Sequence, residues 1–157
     1  MVTFYNAQGK SVLLKMVKAI KENKAYLGEV DGLIGDGDHG MNMNKGFSVF
    51  EERIKDREVG FSEGLEELGE VLLNEIGGSM GPIYGTIFMD GAEMLDGREE
   101  IGTKELAQML EAGLQGLYEI VEARVGDKTM VDTLAPAAAS LKDSADHNIV
   151  LGEALTR

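Results

Sequence analysis

The chain has 157 residues, 43% of them hydrophobic, which suits one domain with a sizeable core. Its 28 acidic and 15 basic residues leave a net charge of −13, a field that repels nucleic acid and anionic membranes. With no cysteine, disulfides, zinc–thiolate centres and thiol catalysis are excluded. The N-terminal stretch has no long apolar run after a basic start, and no segment reaches membrane-spanning length, so a cytoplasmic protein is the default expectation.

Hydrophobic spacing is helical nearly throughout. Leu13, Met16, Ile20 and Leu27 define one face of a first helix. A second starts just after a glycine-rich loop and carries Met43, Phe47, Phe50 and Ile54 at steps of four, three and four. Leu65, Leu68, Leu72 and Ile76 mark a third. Tyr84, Phe88 and Leu95 mark a fourth, with Pro82 expected at its first position. Leu106, Leu110, Gly113, Leu117 and Ile120 mark a fifth. Val131, Leu134, Ala138 and Leu141 mark a sixth, in which Pro136 either kinks the helix or marks its start. "LGEALTR" opens a seventh. No convincing strand–helix–strand unit appears. The expected fold is all-α, a single-domain helical barrel or bundle.

Three glycine-bearing loops interrupt the helices. The first, "GLIGDGDHGMNMNKGF", formally matches the G-x-G-x-x-G dinucleotide fingerprint at Gly35, Gly37 and Gly40. That fingerprint requires a preceding strand, and here the loop lies between helices, so the match is rejected. An EF-hand register also fails: with Asp36 at position one, the turn glycine is replaced by Met41 and the terminal glutamate by Phe47. What remains is three carboxylates, Asp31, Asp36 and Asp38, within eight residues. Glycines allow tight turns, and clustered carboxylates favour a hard cation such as Mg²⁺ or Ca²⁺. Mg²⁺ takes few protein ligands and fills its other positions with phosphate oxygens. An acidic loop can therefore hold phosphate through metal. Solvated turn residues with capping duties are the plainer alternative. The density of Asp, with His39, Asn42 and Asn44 following, favours metal.

The second loop, "GGSMGP" from Gly77 to Pro82, exposes backbone N–H groups at a helix start, with the Ser79 hydroxyl nearby. The third, "VGDKTMVDT" from Val125 to Thr133, offers Asp127 or Thr129 as a cap for the sixth helix, Lys128 as a phosphate contact or solvated charge, and Met130 for core or base packing. His39 suits a hydrogen-bond donor beside metal and phosphate; His147 lies in a polar surface stretch. Two histidines so placed make no nucleophilic triad.

Together, "IGDGDHGMNMNKGF", "GGSMGPIYGT" and "GDKTMVDTLAPA" resemble the L subunit, or L domain, of dihydroxyacetone kinase, from about Leu27 to the end. The resemblance implies an all-helical barrel binding ADP or ATP at one end, and residues 1–157 as a single L-type domain. It implies two Mg²⁺ ions held by Asp31, Asp36 and Asp38. The implied nucleotide positions are His39, Gly40, Met41, Asn42 and Asn44, then Gly78, Ser79 and Met80, then Thr129 and Met130. It further implies phosphoryl transfer to dihydroxyacetone carried on a separate K subunit, with no nucleophile on this chain. A free-standing L chain is most similar to the phosphotransferase-linked branch, in which bound ADP is rephosphorylated by a phosphohistidine M subunit. A regulatory binder of a transcription factor is the alternative within that resemblance. The chain departs from the family pattern at Met80, where a small residue is usual. It lacks the glycine that often precedes the GDKT motif. It also stops before the family's last helices and lid segment, so the domain is expected to be incomplete at its C-terminus.

Overall fold

A computed structural model describes residues 3–157. Seven α-helices run in chain order: α1 (Lys10–Asp31), α2 (His39–Ile54), α3 (Phe61–Glu75), α4 (Met80–Glu93), α5 (Thr103–Ile120), α6 (Val131–Asp146) and the short α7 (Leu151–Ala154). The all-α expectation holds, with one small addition that alternation did not reveal. Strand β1 (Phe4–Tyr5) pairs antiparallel with β2 (Glu100–Ile101), two residues each. A ladder this short lies below the length at which period-two patterning is visible.

Each helix lies chiefly against its neighbour in sequence: α1 on α2, α2 on α3, α3 on α4, α4 on α5 and α5 on α6. α1 also touches α3, whereas α6 makes no extensive contact with α1. Helices that alternate direction place the connections after α1, α3 and α5 at one end of the molecule. The connections after α2 and α4 fall at the other. Buried Asn6 ties that second end together. Its amide donates to the Arg98 carbonyl at 2.8 Å, and its side-chain oxygen accepts the Ser62 N–H at 2.9 Å.

The main core gathers Leu13 and Val17 of α1, Met43, Phe47, Phe50 and Ile54 of α2, and Leu65, Leu68, Val71 and Leu72 of α3. All four apolar positions read for the second helix are at most 3% exposed. A second cluster joins Leu114 and Leu117 of α5 to Val131, Leu134 and Ala138 of α6. The distal half of α1 is less covered: Leu27 is half-buried, and Tyr26 and Val30 are exposed.

Pro82 sits deeper in its helix than expected, and Pro136 lies inside its helix, which leaves the first of its two expected roles. α4 begins at Met80, so Pro82 is its third residue, not its first. The third position is still within the first turn, where amides have no intrahelical acceptor and the missing N–H costs nothing. α6 begins at Val131, so Pro136 neither starts the helix nor ends it; the helix continues through to Asp146. Leu95 is fully buried but lies just past the end of α4, in the turn that leads to β2.

Candidate functional site

Asp31 is the last residue of α1, and Asp38 is the residue before α2. The carbonyl end of one helix and the amide end of the next therefore meet across seven residues. A cation is favoured at the first and an anion at the second. Gly37 has φ +77°, a conformation that glycine adopts at little cost, and it lets the chain reverse between the two. Gly40 is buried where the two helices touch; a Cβ there would lie 1.8 Å from the Lys24 carbonyl oxygen.

The reversal brings Asp31, Asp36 and Asp38 together. One carboxylate oxygen from each lies within 4.8 Å of the others. Local bonds orient them. The Asp38 N–H donates to Asp36 Oδ1 at 3.3 Å, the Asn42 amide donates to Asp38 Oδ2 at 2.7 Å, and the His39 N–H donates to Asp31 Oδ2 at 3.4 Å. An all-oxygen, all-carboxylate set with open solvent on one side suits Mg²⁺ or Ca²⁺ and not a soft metal. Asp36 and Asp38 are exposed and Asp31 half-exposed, so positions remain on that side for further oxygen ligands.

The other sequence-derived positions surround this cluster to different degrees. The His39 ring reaches α4, its Nε2 lying 3.2 Å from the Tyr84 hydroxyl. That contact fixes the start of α4, and with it the second loop, beside the first. Met41 is 61% exposed and Asn44 half-buried. In the second loop Gly78 has φ +70°, Gly77 and Gly78 face open space, and exposed Ser79 precedes α4. Met80 is half-buried against the main core. Met130 is half-buried on the α5–α6 cluster, on which Ile83 and Ile87 of α4 also pack. The third loop thus approaches the others through α4. Among the described residues no hydrogen bond ties it to the aspartate loop.

Two residues matter here that the sequence reading had not singled out. Tyr84 had been read only as part of an apolar helix face. Asp132 organises the third loop: its carboxylate accepts the Gly126 N–H at 2.7 Å and the Thr129 N–H at 2.9 Å. Those bonds, that from Thr129 first, hold the Asp132 carboxyl below the usual aspartate value. Thr129 Oγ1 in turn accepts the Val131 N–H at 3.2 Å, so both side chains satisfy amides at the entry to α6. The T-x-x-D spacing was the available signal. Asp127, the other candidate cap, accepts the Arg124 N–H instead.

A groove of about 610 Å³ lies elsewhere, at the far end, between the start of α3 and the end of α4. Glu63, Glu66, Asp90, Glu93 and Asp96 line it. Burial, with Glu119 and Glu93 nearby, raises the Asp90 carboxyl above its usual value. So acidic a groove disfavours an anionic nucleotide.

The sequence profile of the DAK2 domain matches residues 33–157. The chain belongs to the DAK2 domain family. This DAK2 chain is 40% identical over 133 residues to the ADP-binding subunit DhaL of the PEP-dependent dihydroxyacetone kinase of Escherichia coli (strain K12), covering 83% of this chain and 62% of that subunit. It is 39% identical over 119 residues to the corresponding subunit of the PTS-dependent kinase of Lactococcus lactis, covering 75% of this chain and 59% of the relative. It therefore spans about three-fifths of the length of these curated relatives. The dihydroxyacetone kinase of C. freundii superposes with a TM-score of 0.73 at 24% identity, over 92% of this chain and 27% of that one, which establishes the shared helical fold. Among the described residues no helix is long and apolar enough to cross a membrane.

Proposed function

We propose that this DAK2 chain is a single L-type domain that holds an adenine nucleotide for a dihydroxyacetone kinase. In this reading a phosphoryl group arrives from a phosphohistidine M subunit, resides on bound ADP and passes to dihydroxyacetone on a K subunit. The observation that carries the reading is the convergence of the Asp31, Asp36 and Asp38 oxygens within 4.8 Å, at the amide end of α2. The names of the relatives, ADP-binding subunits of PEP- or PTS-dependent dihydroxyacetone kinases, support the nucleotide and the donor.

Asp31, Asp36 and Asp38 would hold two Mg²⁺ ions. Bound Mg²⁺ supplies charge neutralisation of phosphate oxygens, the main requirement of phosphoryl transfer. The chain's own residues position and do not attack. Asn42 holds Asp38 in place through its amide. The first-turn amides of α2 and the open backbone at Gly77 and Gly78 face the anion with hydrogen-bond donors. His39 donates to a phosphate oxygen. Met41, Asn44, Ser79, Met80, Thr129 and Met130 border the nucleotide. No side chain on this chain serves as nucleophile.

Calorimetry with Mg-ADP tests the reading. The protein binds Mg-ADP, binding fails in excess chelator, and Asp36→Ala weakens it by at least roughly tenfold. Equal binding with and without chelator would remove the metal bridge. Mass analysis of nucleotide released on denaturation then separates a retained ADP from an exchanging ATP.

A further inference from the structure

The His39–Tyr84 contact joins residues 45 positions apart at the edge of the aspartate loop. The two rings meet edge to face, with centroids 5.9 Å apart and an interplanar angle of 67°. Tyr84 is half-buried on α4, and burial raises its phenol above the usual tyrosine range, so the group is a neutral O–H at any physiological pH. Among the described residues that O–H has one protein partner, His39 Nε2. The His39 backbone is held separately, by its N–H on Asp31 Oδ2.

A neutral imidazole has one donor nitrogen and one acceptor. A half-buried O–H left without an acceptor costs more than a hydroxyl oxygen left without a donor, so the phenol is taken as the donor in this pair. Nε2 is then the acceptor, and the ring proton resides on Nδ1. Nδ1 is the ring nitrogen nearer the backbone, and through its backbone N–H His39 is already held at the Asp31 carboxylate.

We propose that Tyr84 is a positioning residue: its hydroxyl donates to His39 Nε2 and sets the imidazole with its proton on Nδ1, the donor that an anionic ligand at the aspartate loop requires. The ligand half of this statement rests on the nucleotide reading above; the tautomer half does not. Tyr84 also couples α4 to α2, so the second loop and the aspartate loop keep one relative position before any ligand arrives.

The experiment is a two-bond ¹H–¹⁵N imidazole spectrum of uniformly labelled protein without metal or nucleotide, at a pH of about 8.5, above the ordinary histidine range. His147, which is surface-exposed, is the chain's other histidine, and its signals are assigned from His147→Gln. His39 shows an acceptor-type Nε2 and a proton-bearing Nδ1. In Tyr84→Phe it reverts toward the Nε2–H form that a free histidine side chain favours in water, and the Mg-ADP dissociation constant rises roughly three- to tenfold. A wild-type His39 with its proton on Nε2 overturns the proposal without use of any variant. So does an unchanged tautomer in a folded Tyr84→Phe. If the tautomer switches as stated but neither protein binds Mg-ADP, the positioning role stands and the nucleotide reading falls.

Discussion

Gly40 shows how a single missing side chain builds the site. A Cβ at this position would lie 1.8 Å from the Lys24 carbonyl oxygen and 2.9 Å from the Gly28 nitrogen, both backbone atoms that cannot swing aside. Close approach of α1 and α2 is what sets Asp31 opposite Asp38. Gly40→Ala is therefore expected to destabilise the fold by roughly 1–3 kcal/mol, read as a lower urea midpoint at unchanged slope. Gly77, with nothing within 4 Å of its Cβ position, is the control: Gly77→Ala should shift stability by no more than about 0.5 kcal/mol. The family resemblance implied Gly40 as a nucleotide position, and its part in helix contact was invisible in the sequence. The three aspartates were legible because their density within eight residues is a local property.

At the scale of elements, α2 was the most legible, because its four core residues keep helical spacing without interruption and all become buried. The turn before α6 was less so. Its order depends on Asp132, whose carboxylate gathers the Thr129 and Gly126 amides. Because these bonds lower the folded-state pKa, their contribution is fully present above the ordinary aspartate value of 3.8 and is lost as pH falls through the depressed folded value. The Gly126 and Thr129 amide resonances should accordingly titrate with a midpoint below 3.8, and a midpoint at or above it would contradict the cap. At neutral pH, Asp132→Ala should make both amides exchange with solvent severalfold faster, with little change in the amides of α2. The position of Pro82 escaped the sequence for a related reason: helix starts are set by which amides lose partners, and apolar spacing does not report this.

For the whole molecule the relevant quantity is charge. A net −13 on 157 residues repels itself most in the compact state. Ion pairs such as Lys18–Glu22 are exposed and offset little of this. Raising monovalent salt from about 0.02 to about 0.2 M shortens the screening length to below roughly 10 Å. Thermal melting should therefore shift upward by a few degrees; a downward shift would mean that the surface pairs outweigh the repulsion. The same charge explains why the acidic groove at the far end is a poor nucleotide site; under the proposed function the aspartate loop would become one only with a cation.

The sequence by itself determined the helical class, the order of the helices, the three loops and the carboxylates that mark one of them. Those features depend on residue spacing along a few turns of chain, and that spacing survives without a third dimension. Tertiary structure decided which groups meet across distance. It set α1 against α2 at Gly40, and it placed the Tyr84 hydroxyl 3.2 Å from a histidine 45 residues earlier. Such contacts arise from helix packing, and tyrosine on an apolar helix face carries no local mark of the partner its hydroxyl will find.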